Sequence, residues 1–246
     1  GHHDMNLALF LRSADAIAPY LGDCAATGMT FAGHPASPAL LAAIRPIGLA
    51  AEAAMRTATG GVNTHKGAIF AFGLTAAALG KRLAEQHAAT LADVQADVRA
   101  LCAEILAELR QGDCDSAGKR GYARHGISGA RGEAASGFAT VSAHALPLYQ
   151  QELAADGNER RALPAALVAL YAANDDSTTL ARVGLDGLRA HQHWARTLLA
   201  DRATLADEAR LSDAIAAYAR NCAAKRLSAG GSADLLALTA WLGQHF

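Results

Sequence analysis

Residues 90–112 read TLADVQADVRALCAEILAELRQG, and the spacing of their apolar side chains decides the fold class. These side chains recur at three- and four-residue steps, which places them on one face of an α-helix. The positions are Leu91, Val94, Val98, Leu101, Ile105 and Leu109. Thr90 and Asp93 have the spacing of a capping box at the start, and Gly112 supplies a left-handed stop at the end. The pattern predicts one amphipathic helix from Thr90 to about Gly112.

The same period extends over most of the chain. Further helices are predicted over about 6–21, 38–58, 66–87, 133–155, 159–173, 184–200 and 232–245, with ends uncertain by about two to four residues. Thr204 and Asp207 repeat the capping-box spacing ahead of another apolar stripe. Alternating β-branched strands are hard to find, which argues against a parallel sheet. We therefore predict an all-α fold, a compact multi-helix single domain covering residues 1–246.

Composition and charge narrow the function classes. Of the 246 residues, 52% are hydrophobic, enough for a substantial core, and the formal net charge is −1. No long-range field would therefore hold the protein on nucleic acid or on an anionic membrane. The longest apolar run, Gly67–Gly80, is shorter than the roughly 18 residues that suggest a membrane span and is predicted to be a core helix. No secretion signal opens the chain and no CxxC occurs, so we expect a cytoplasmic protein with reduced thiols.

The most polar connection runs from about Gly112 to Gly132. It is long for a structureless loop inside a compact domain. The sequence is compatible with a mobile lid and with a disordered linker, and it does not decide between them.

The stretch Thr59–Gly67, TGGVNTHKG, precedes an apolar helix and has the composition of an anion site. Gly60 and Gly61 let the backbone approach a ligand, and the free N–H groups of a helix start favour an anion. Lys66 in the first turn gains nothing from the helix dipole unless a phosphate lies between them. A Schellman stop at the glycines with a solvated lysine explains the same residues, so both interpretations stay open. The GxxxxGK[ST] spacing of a Walker loop is absent.

Three further junctions carry polar groups at predicted helix starts. Gly129–Phe138 contains Arg131 and Glu133, and the arginine could bind phosphate oxygens or form an ordinary surface pair with the glutamate. Asn174–Arg182 contains paired carboxylates next to hydroxyls, a set that suits magnesium and equally suits an Asx turn. Ala229–Leu236 contains two glycines and a serine, an ordinary N-cap when taken alone.

Taken in this order, the segments resemble the triphosphoribosyl-dephospho-CoA synthase family. The run TGGVNTHKGAIF at Thr59–Phe70 carries most of the resemblance. Gly129–Phe138 is similar to the family's GxRGEAxxGF segment, Asp176–Gly184 to its DTN…RGG segment and Gly230–Leu236 to its GGSADLL segment. His2–Met5, reading HHDM, resembles the malonate-decarboxylase branch more closely than the citrate-lyase branch.

The resemblance implies an all-helical enzyme that transfers the triphosphoribosyl group of ATP to the 2′-hydroxyl of 3′-dephospho-CoA and releases adenine. The product would be the prosthetic-group precursor of a malonate decarboxylase acyl-carrier subunit, passed on to an acyl-carrier-protein transferase. Mg²⁺ would accompany ATP, and a homodimer is one candidate assembly.

With this reaction in view, roles can be predicted for the polar residues of the junctions. Catalysis is assigned to His65 as proton donor for adenine and to Glu133 or Asp176 as acceptor of the hydroxyl proton. The residues predicted to bind substrate are Gly60, Gly61, Asn63, Thr64, Lys66, Arg131, Arg182, Gly230, Gly231 and Ser232. The residues predicted to ligate magnesium are Glu52, Asp175 and Asp176. A structural His65, hydrogen-bonded to a neighbouring turn, is an equally open interpretation of that residue.

Two departures from the family pattern bear on these expectations. The family's TPKPGLV segment would precede Gly1, and if it shapes the nucleotide site, the chain as given is expected to be inactive. Val183 stands where a glycine of the RGG element is expected, which weakens the analogy for that loop.

Two other functions stay open. A helical metal-dependent nucleotide phosphohydrolase would use His3 and Asp4 together with Asp175 and Asp176, and would release phosphate rather than adenine. A non-catalytic helical module would bind a partner through apolar surface, and its binding would not depend on Lys66.

Overall fold

The computed structural model describes residues 5–86, 88–111 and 116–246, and these residues form helices without any strand. The helices are α1 (Leu7–Met29), α2 (Pro38–Thr59), α3 (Lys66–Ala84), α4 (Leu91–Leu101), α5 (Ala117–His125), α6 (Gly129–Ala135), α7 (Leu146–Asp156), α8 (Glu159–Ala173), α9 (Ser177–Ala200), α10 (Arg202–Leu205), α11 (Glu208–Ala224) and α12 (Gly230–His245). A 3₁₀ helix covers Ile105–Leu109 and a π-helical turn covers Val141–Ala145. The prediction of an all-α fold is confirmed.

The described residues divide into two compact units. The first unit comprises residues 5–108 and Ala134–Gly137, and the second comprises Leu109–Glu133 and Phe138–Phe246. The prediction that the whole chain is a single domain stays a prediction.

The first unit is built on helices α1 to α4, with α1 packed against both α2 and α3. Two glycines allow the backbones of α1 and α3 to approach closely. A Cβ at Gly28 would lie 2.0 Å from the carbonyl oxygen of Ala77, and one at Gly80 would lie 2.1 Å from that of Ala25. We call these four residues the glycine seam. Glycine and alanine lose almost no side-chain conformational entropy when they are buried, so α1 and α3 pack closely along the seam at little entropic cost.

The second unit is built around α8, which packs against α7, α9, α11 and α12. Its core includes Ala165, Val168, Ala195, Leu205 and Leu211. Beside this core, the rings of Trp194 and Tyr218 stack in parallel with centroids 3.6 Å apart. Parallel aromatic rings contribute on the order of 1 kcal/mol beyond the area they bury.

The helices α2 and α3 are long and apolar enough to cross a membrane when judged by length and composition alone. In their most apolar windows, 22% of α2 and 56% of α3 are buried inside the protein. A core helix of a soluble protein passes the same test, so this is weak evidence for a membrane span. The burial of Ile69, Leu74 and Ala78 on α3 agrees with the prediction of a core helix in this region.

Several predicted helix ends are wrong. The helix predicted from Thr90 ends at Leu101, and the chain continues as a 3₁₀ helix because Cys102 leaves the helical region at φ −97° and ψ 14°. Gly112, its predicted stop, lies outside the described residues. The capping box predicted at Thr204 is also wrong, since Asp207 itself caps α11 through the N–H of Arg210.

The helix predicted over 133–155 is broken at two consecutive residues with positive φ, Gly137 at 71° and Phe138 at 60°. A Cβ at Gly137 would lie 2.7 Å from the carbonyl oxygen of Gln95, so only glycine fits against α4. The expectation of a disordered linker over 112–132 is wrong for its described part, because α5 forms there and ends at Gly126 in the left-handed conformation. The alternative of a mobile lid stays a prediction. The sequence pattern underestimated α1, which continues through Pro19 to Met29.

Candidate functional site

The junction between α2 and α3 in the first unit is a Schellman stop. Gly60 is left-handed, and the N–H of Gly61 donates to the carbonyl oxygen of Arg56 at 2.7 Å. The Asn63 carboxamide oxygen then accepts from the N–H of Lys66 at 3.2 Å and braces the start of α3. The stop predicted as one of the two interpretations is present, and it leaves open whether the junction also binds an anion.

Lys66 at this junction is paired rather than simply solvated. Its Nζ lies 3.0 Å from Oε2 of Glu52 on α2, and 53% of the lysine side chain is exposed. A pair this exposed is worth at most about 1 kcal/mol, so a phosphate could replace the glutamate at little cost. Lys66, predicted to bind phosphate, and Glu52, predicted to bind magnesium, therefore form an ion pair with each other.

His65 is buried at the start of α3, where its ring is held from α1. Nδ1 lies 2.8 Å from Oγ of Ser13 and 3.2 Å from Oγ1 of Thr64, and the ring centroid is 4.0 Å from that of Phe10. Burial lowers the pKa of His65 below its ordinary value. The ring is therefore neutral at pH 7, so it can donate a hydrogen bond but holds no spare proton there.

Asp176 in the second unit joins the starts of two helices. Its Oδ1 accepts from the N–H groups of Thr178 and Thr179 at 2.8 and 3.1 Å, which caps α9. Its Oδ2 accepts from the N–H and the hydroxyl of Ser232 at 2.8 and 3.1 Å, which caps α12. A Cβ at Gly231 would lie 3.2 Å from Oδ2, so the small residue permits this approach. Asp176, the predicted catalytic aspartate, thus contacts Gly231 and Ser232, two of the predicted binding residues. The contacts themselves stabilise the starts of two helices.

The four hydrogen bonds to Asp176 have an electrostatic consequence. Burial raises the pKa of this carboxyl, and its bonds to Ser232, Thr179 and Thr178 oppose the rise. A carboxylate with only 2% exposure and four donors offers little room for a metal or a substrate proton.

Asp175, next in the chain, is the accessible carboxylate of this junction. Its side chain is 46% exposed, and its Oδ1 accepts from Arg189 at 2.8 Å and from Gln192 at 2.9 Å. Gln192 also donates to the carbonyl oxygen of Asn174 at 3.0 Å, and the carboxamide of Asn174 donates to Ser232. Arg189 and Gln192 were missed by sequence reasoning, because they lie on a helix face remote from Asp175 in the chain. The Asx turn that caps the next helix, one of the two predicted interpretations of this junction, is present at Asp176.

Glu133 lies at the third junction of the second unit and is partly buried. Its Oε1 accepts from the hydroxyl of Thr140 at 2.6 Å and its Oε2 from the N–H of Thr140 at 3.4 Å. Burial raises the pKa of Glu133, the bonds from Thr140 and the charge of His144 lower it, and the charge of Asp175 raises it. Glu133 therefore lies within electrostatic range of Asp175, as a shared site would require.

The three junctions of the second unit converge. A Cβ at Gly129 would lie 2.7 Å from Oγ of Ser177, and one at Gly230 would lie 3.6 Å from Thr178. The starts of α6, α9 and α12 are therefore neighbours, as predicted for a common site. Arg131 is partly buried and Arg182 is exposed. The roles assigned to these residues stay predictions, and His2, His3 and Asp4 lie outside the described residues.

We expect Asp176→Asn to lower the free energy of unfolding by about 1–2 kcal/mol, because the carboxamide has a single acceptor oxygen and cannot cap both α9 and α12. Chemical denaturation measures the change. Asp175→Asn is the matched control and should cost less than about 1 kcal/mol, since its carboxylate is exposed. Equal losses in the two variants would contradict the double cap.

The chain is similar to known enzymes over its whole length. The family profile described as CitG, ATP:dephospho-CoA triphosphoribosyl transferase, matches residues 1–245. The 2-(5''-triphosphoribosyl)-3'-dephosphocoenzyme-A synthase of Pectobacterium atrosepticum is 45% identical over 252 residues, covering 100% of this chain and 79% of the relative. The protein of the same name from Klebsiella pneumoniae is 41% identical over 249 residues, covering 98% of this chain and 80% of the relative. No solved structure matches.

Matches over the whole chain define an enzyme of the transferase class. The chain belongs to the ATP:dephospho-CoA triphosphoribosyl transferase family.

Proposed function

We propose that this enzyme transfers the triphosphoribosyl group of ATP to the 2′-hydroxyl of 3′-dephospho-CoA and releases adenine. Family membership over the full chain carries the proposal. The convergence of Glu133, Asp175 and the start of α12 in the second unit supports it, since a polyanionic substrate needs several polar groups in one place.

The proposed reaction begins at the 2′-hydroxyl, where Glu133 accepts the proton. A carboxylate with a raised pKa is a stronger base than an ordinary one, and Glu133 has such a pKa. Asp176 is the weaker candidate for this role because its oxygens already accept four hydrogen bonds. The oxygen then bonds to C1 of the ATP ribose, the bond from C1 to adenine breaks, and the electron pair leaves with the base.

The departing adenine needs a hydrogen-bond donor, and we assign that role to His65. Because the ring is neutral at pH 7, it acts by donating a hydrogen bond through its N–H group. Adenine takes its proton from solvent, and Glu133 returns to solvent the proton that it accepted from the hydroxyl, so the reaction balances. Arg131 and the backbone N–H groups at the start of α12, in the second unit, are proposed to bind the triphosphate. The phosphate-binding role of Lys66 and of the start of α3 stays a prediction from the sequence. For Lys66 this requires release from Glu52.

Magnesium is proposed to arrive as part of the ATP substrate. Among the residues that the structure describes, no group of three or more His, Cys, Asp or Glu side chains could hold a metal ion. Of the predicted ligands, Glu52 is paired with Lys66 and Asp176 is fully bonded, which leaves Asp175. Magnesium commonly uses one or two carboxylates plus substrate phosphates, so a single accessible aspartate fits that use.

The setting of the reaction is also a proposal. We propose a cytoplasmic enzyme, in which Cys24, Cys102 and Cys222 would remain reduced thiols. The malonate-decarboxylase branch, transfer of the product to an acyl-carrier-protein transferase and a homodimer are proposed on the resemblance alone. The phosphohydrolase alternative is not favoured by the family match.

The test is to incubate the full chain with ATP, magnesium and 3′-dephospho-CoA and to follow products by mass spectrometry. We expect free adenine and a coenzyme enlarged by the triphosphoribosyl group, in equal amounts. The control substrate is the 2′-deoxy analogue of dephospho-CoA, which lacks the attacking hydroxyl and should give neither product. Phosphate released without adenine would identify a phosphohydrolase and overturn the proposal.

A further inference from the structure

Ser13 is a buried polar residue that the reaction described above does not use. It lies on α1 with 0% exposure, and the buried residues of that helix are Ser13, Ile17, Cys24 and Gly28. Its Oγ lies 2.6 Å from Oγ1 of Thr64 and 2.8 Å from Nδ1 of His65. A buried hydroxyl must have its hydrogen bonds satisfied inside the protein, and these two partners supply them.

Nδ1 of His65 also lies 3.2 Å from Oγ1 of Thr64, so several proton arrangements are possible, and two of them use the shorter contacts to Ser13. If His65 carries its proton on Nδ1, the ring donates to Ser13, Ser13 donates to Thr64, and the Thr64 proton needs a partner elsewhere. If Nδ1 is bare, Thr64 donates to Ser13 and Ser13 donates to Nδ1, so that both hydroxyl protons are used inside the cluster. The second arrangement satisfies both hydroxyl donors inside the cluster. It also leaves the proton of the neutral ring on Nε2.

The ring has little freedom to change this arrangement. Phe10, one turn before Ser13 on α1, lies against the imidazole with ring centroids 4.0 Å apart. The backbone N–H of His65 donates to Sδ of Met55 at 3.2 Å. These contacts hold the ring and its backbone in place, and they leave Ser13 as the nearest side-chain partner of Nδ1.

We infer that Ser13 is a positioning residue for the transfer reaction: by donating to Nδ1 it holds His65 in the tautomer that presents an N–H group at Nε2. The inference rests on the proposed function in one respect, the use of that N–H group as the donor to adenine. Partners that fix the tautomer and orientation of a histidine typically contribute ten- to a hundred-fold to activity where the imidazole is a metal ligand, and we expect a similar range here.

The first measurement needs no activity. Long-range proton–nitrogen spectra of the full chain labelled with ¹⁵N-histidine distinguish a protonated from a bare ring nitrogen, and a His65→Gln sample assigns the signals. We expect Nδ1 of His65 to be bare and Nε2 protonated. In Ser13→Ala we expect a mixture of tautomers. A wild-type ring protonated at Nδ1 would overturn the inference.

The second measurement is the rate of adenine release. Ser13→Ala should lower kcat by roughly ten- to a hundred-fold while the KM for ATP changes little. Ser13→Cys retains a weak donor of similar size and should give an intermediate kcat. The control is Ser212→Ala at an exposed position of α11, which should leave kcat unchanged. Melting temperatures show whether each variant is folded at the assay temperature.

The outcomes separate the two proposals. A folded Ser13→Ala protein with the wild-type kcat would show that the contact is only structural, and it would remove Ser13 from the reaction. A wild-type protein that releases no adenine would instead contradict the proposed function, and the tautomer measurement would still decide whether Ser13 sets the state of the ring.

Discussion

Gly28→Ala is expected to lower the free energy of unfolding by roughly 3 kcal/mol, the upper part of the usual range for an overpacked buried site. The added Cβ would lie 2.0 Å from the carbonyl oxygen of Ala77. A backbone atom cannot rotate away as a side chain can, so α1 and α3 would have to separate along the glycine seam. Urea denaturation followed by circular dichroism measures the change.

The matched control is Gly22→Ala on the same helix. A Cβ at Gly22 would lie more than 4 Å from every neighbouring element that the structure describes, and the residue is exposed. Alanine there should raise the free energy of unfolding by about 0.5–1 kcal/mol, because glycine is the poorer helix former. If the two alanine variants changed the free energy of unfolding in the same direction and by the same amount, close packing at the seam would not be the reason that position 28 requires glycine.

How far the fold could be predicted is clear from the segment after Thr90. The apolar period correctly identified Ile105 and Leu109 as buried, and it correctly gave the capping box of α4. It could not show that the chain tightens from an α-helix to a 3₁₀ helix after Leu101, because both helices bury residues at three-residue steps. Periodicity reports which side chains are inside more reliably than which hydrogen bonds the backbone makes.

The glycine seam illustrates a second limit. The abundance of alanine predicts close helix packing, but the choice of partners depends on how two helices cross. Gly22 and Gly28 occupy the same helix, and helical spacing alone places only Gly28 on the buried face with Ile17 and Cys24. Only the position of Ala77 on α3 makes one of them irreplaceable.

The candidate site shows the same division between local and long-range information. Glycines and polar residues at helix starts correctly located the junctions, because the chemistry of helix starts is local. The double cap by Asp176 joins residues 56 positions apart, and no local rule predicts it. Ser13 left one signal in the sequence, a hydroxyl on the otherwise apolar face of α1, but its partners Thr64 and His65 follow only from the packing of α1 on α3.

The second large effect is expected at Glu133. If Glu133 accepts the proton of the 2′-hydroxyl, Glu133→Gln should lower kcat for adenine release by about 10²- to 10⁴-fold. The amide keeps the shape of the side chain and can still accept from the hydroxyl of Thr140, so binding of ATP should change much less. Glu104→Gln, at an exposed position, is the control and should leave kcat unchanged.

Glu133→Gln should lower kcat, but it should increase the stability of the folded protein at neutral pH relative to acidic pH. Because burial raises the pKa of Glu133 in the folded protein, the folded state binds its proton more tightly than the unfolded state does. The stability from this group is therefore fully present below the unfolded pKa and is lost as the pH rises through the folded pKa. Glutamine does not titrate, so the stability of Glu133→Gln relative to the wild type should be higher at pH 7 than at pH 4. A melting-temperature difference that does not change with pH would contradict the raised pKa.

The pH profile of kcat then tests whether this carboxyl is the base. A base works only when deprotonated, so the wild-type rate should fall on acidification through the raised pKa of Glu133, above the ordinary value of 4.5. Thr140→Val removes the hydroxyl whose hydrogen bond to Oε1 lowers that pKa, so it should move the acid limb to higher pH while Glu133 stays in place. An acid limb that is unaffected by Thr140→Val and persists in Glu133→Gln would assign the proton transfer to another group.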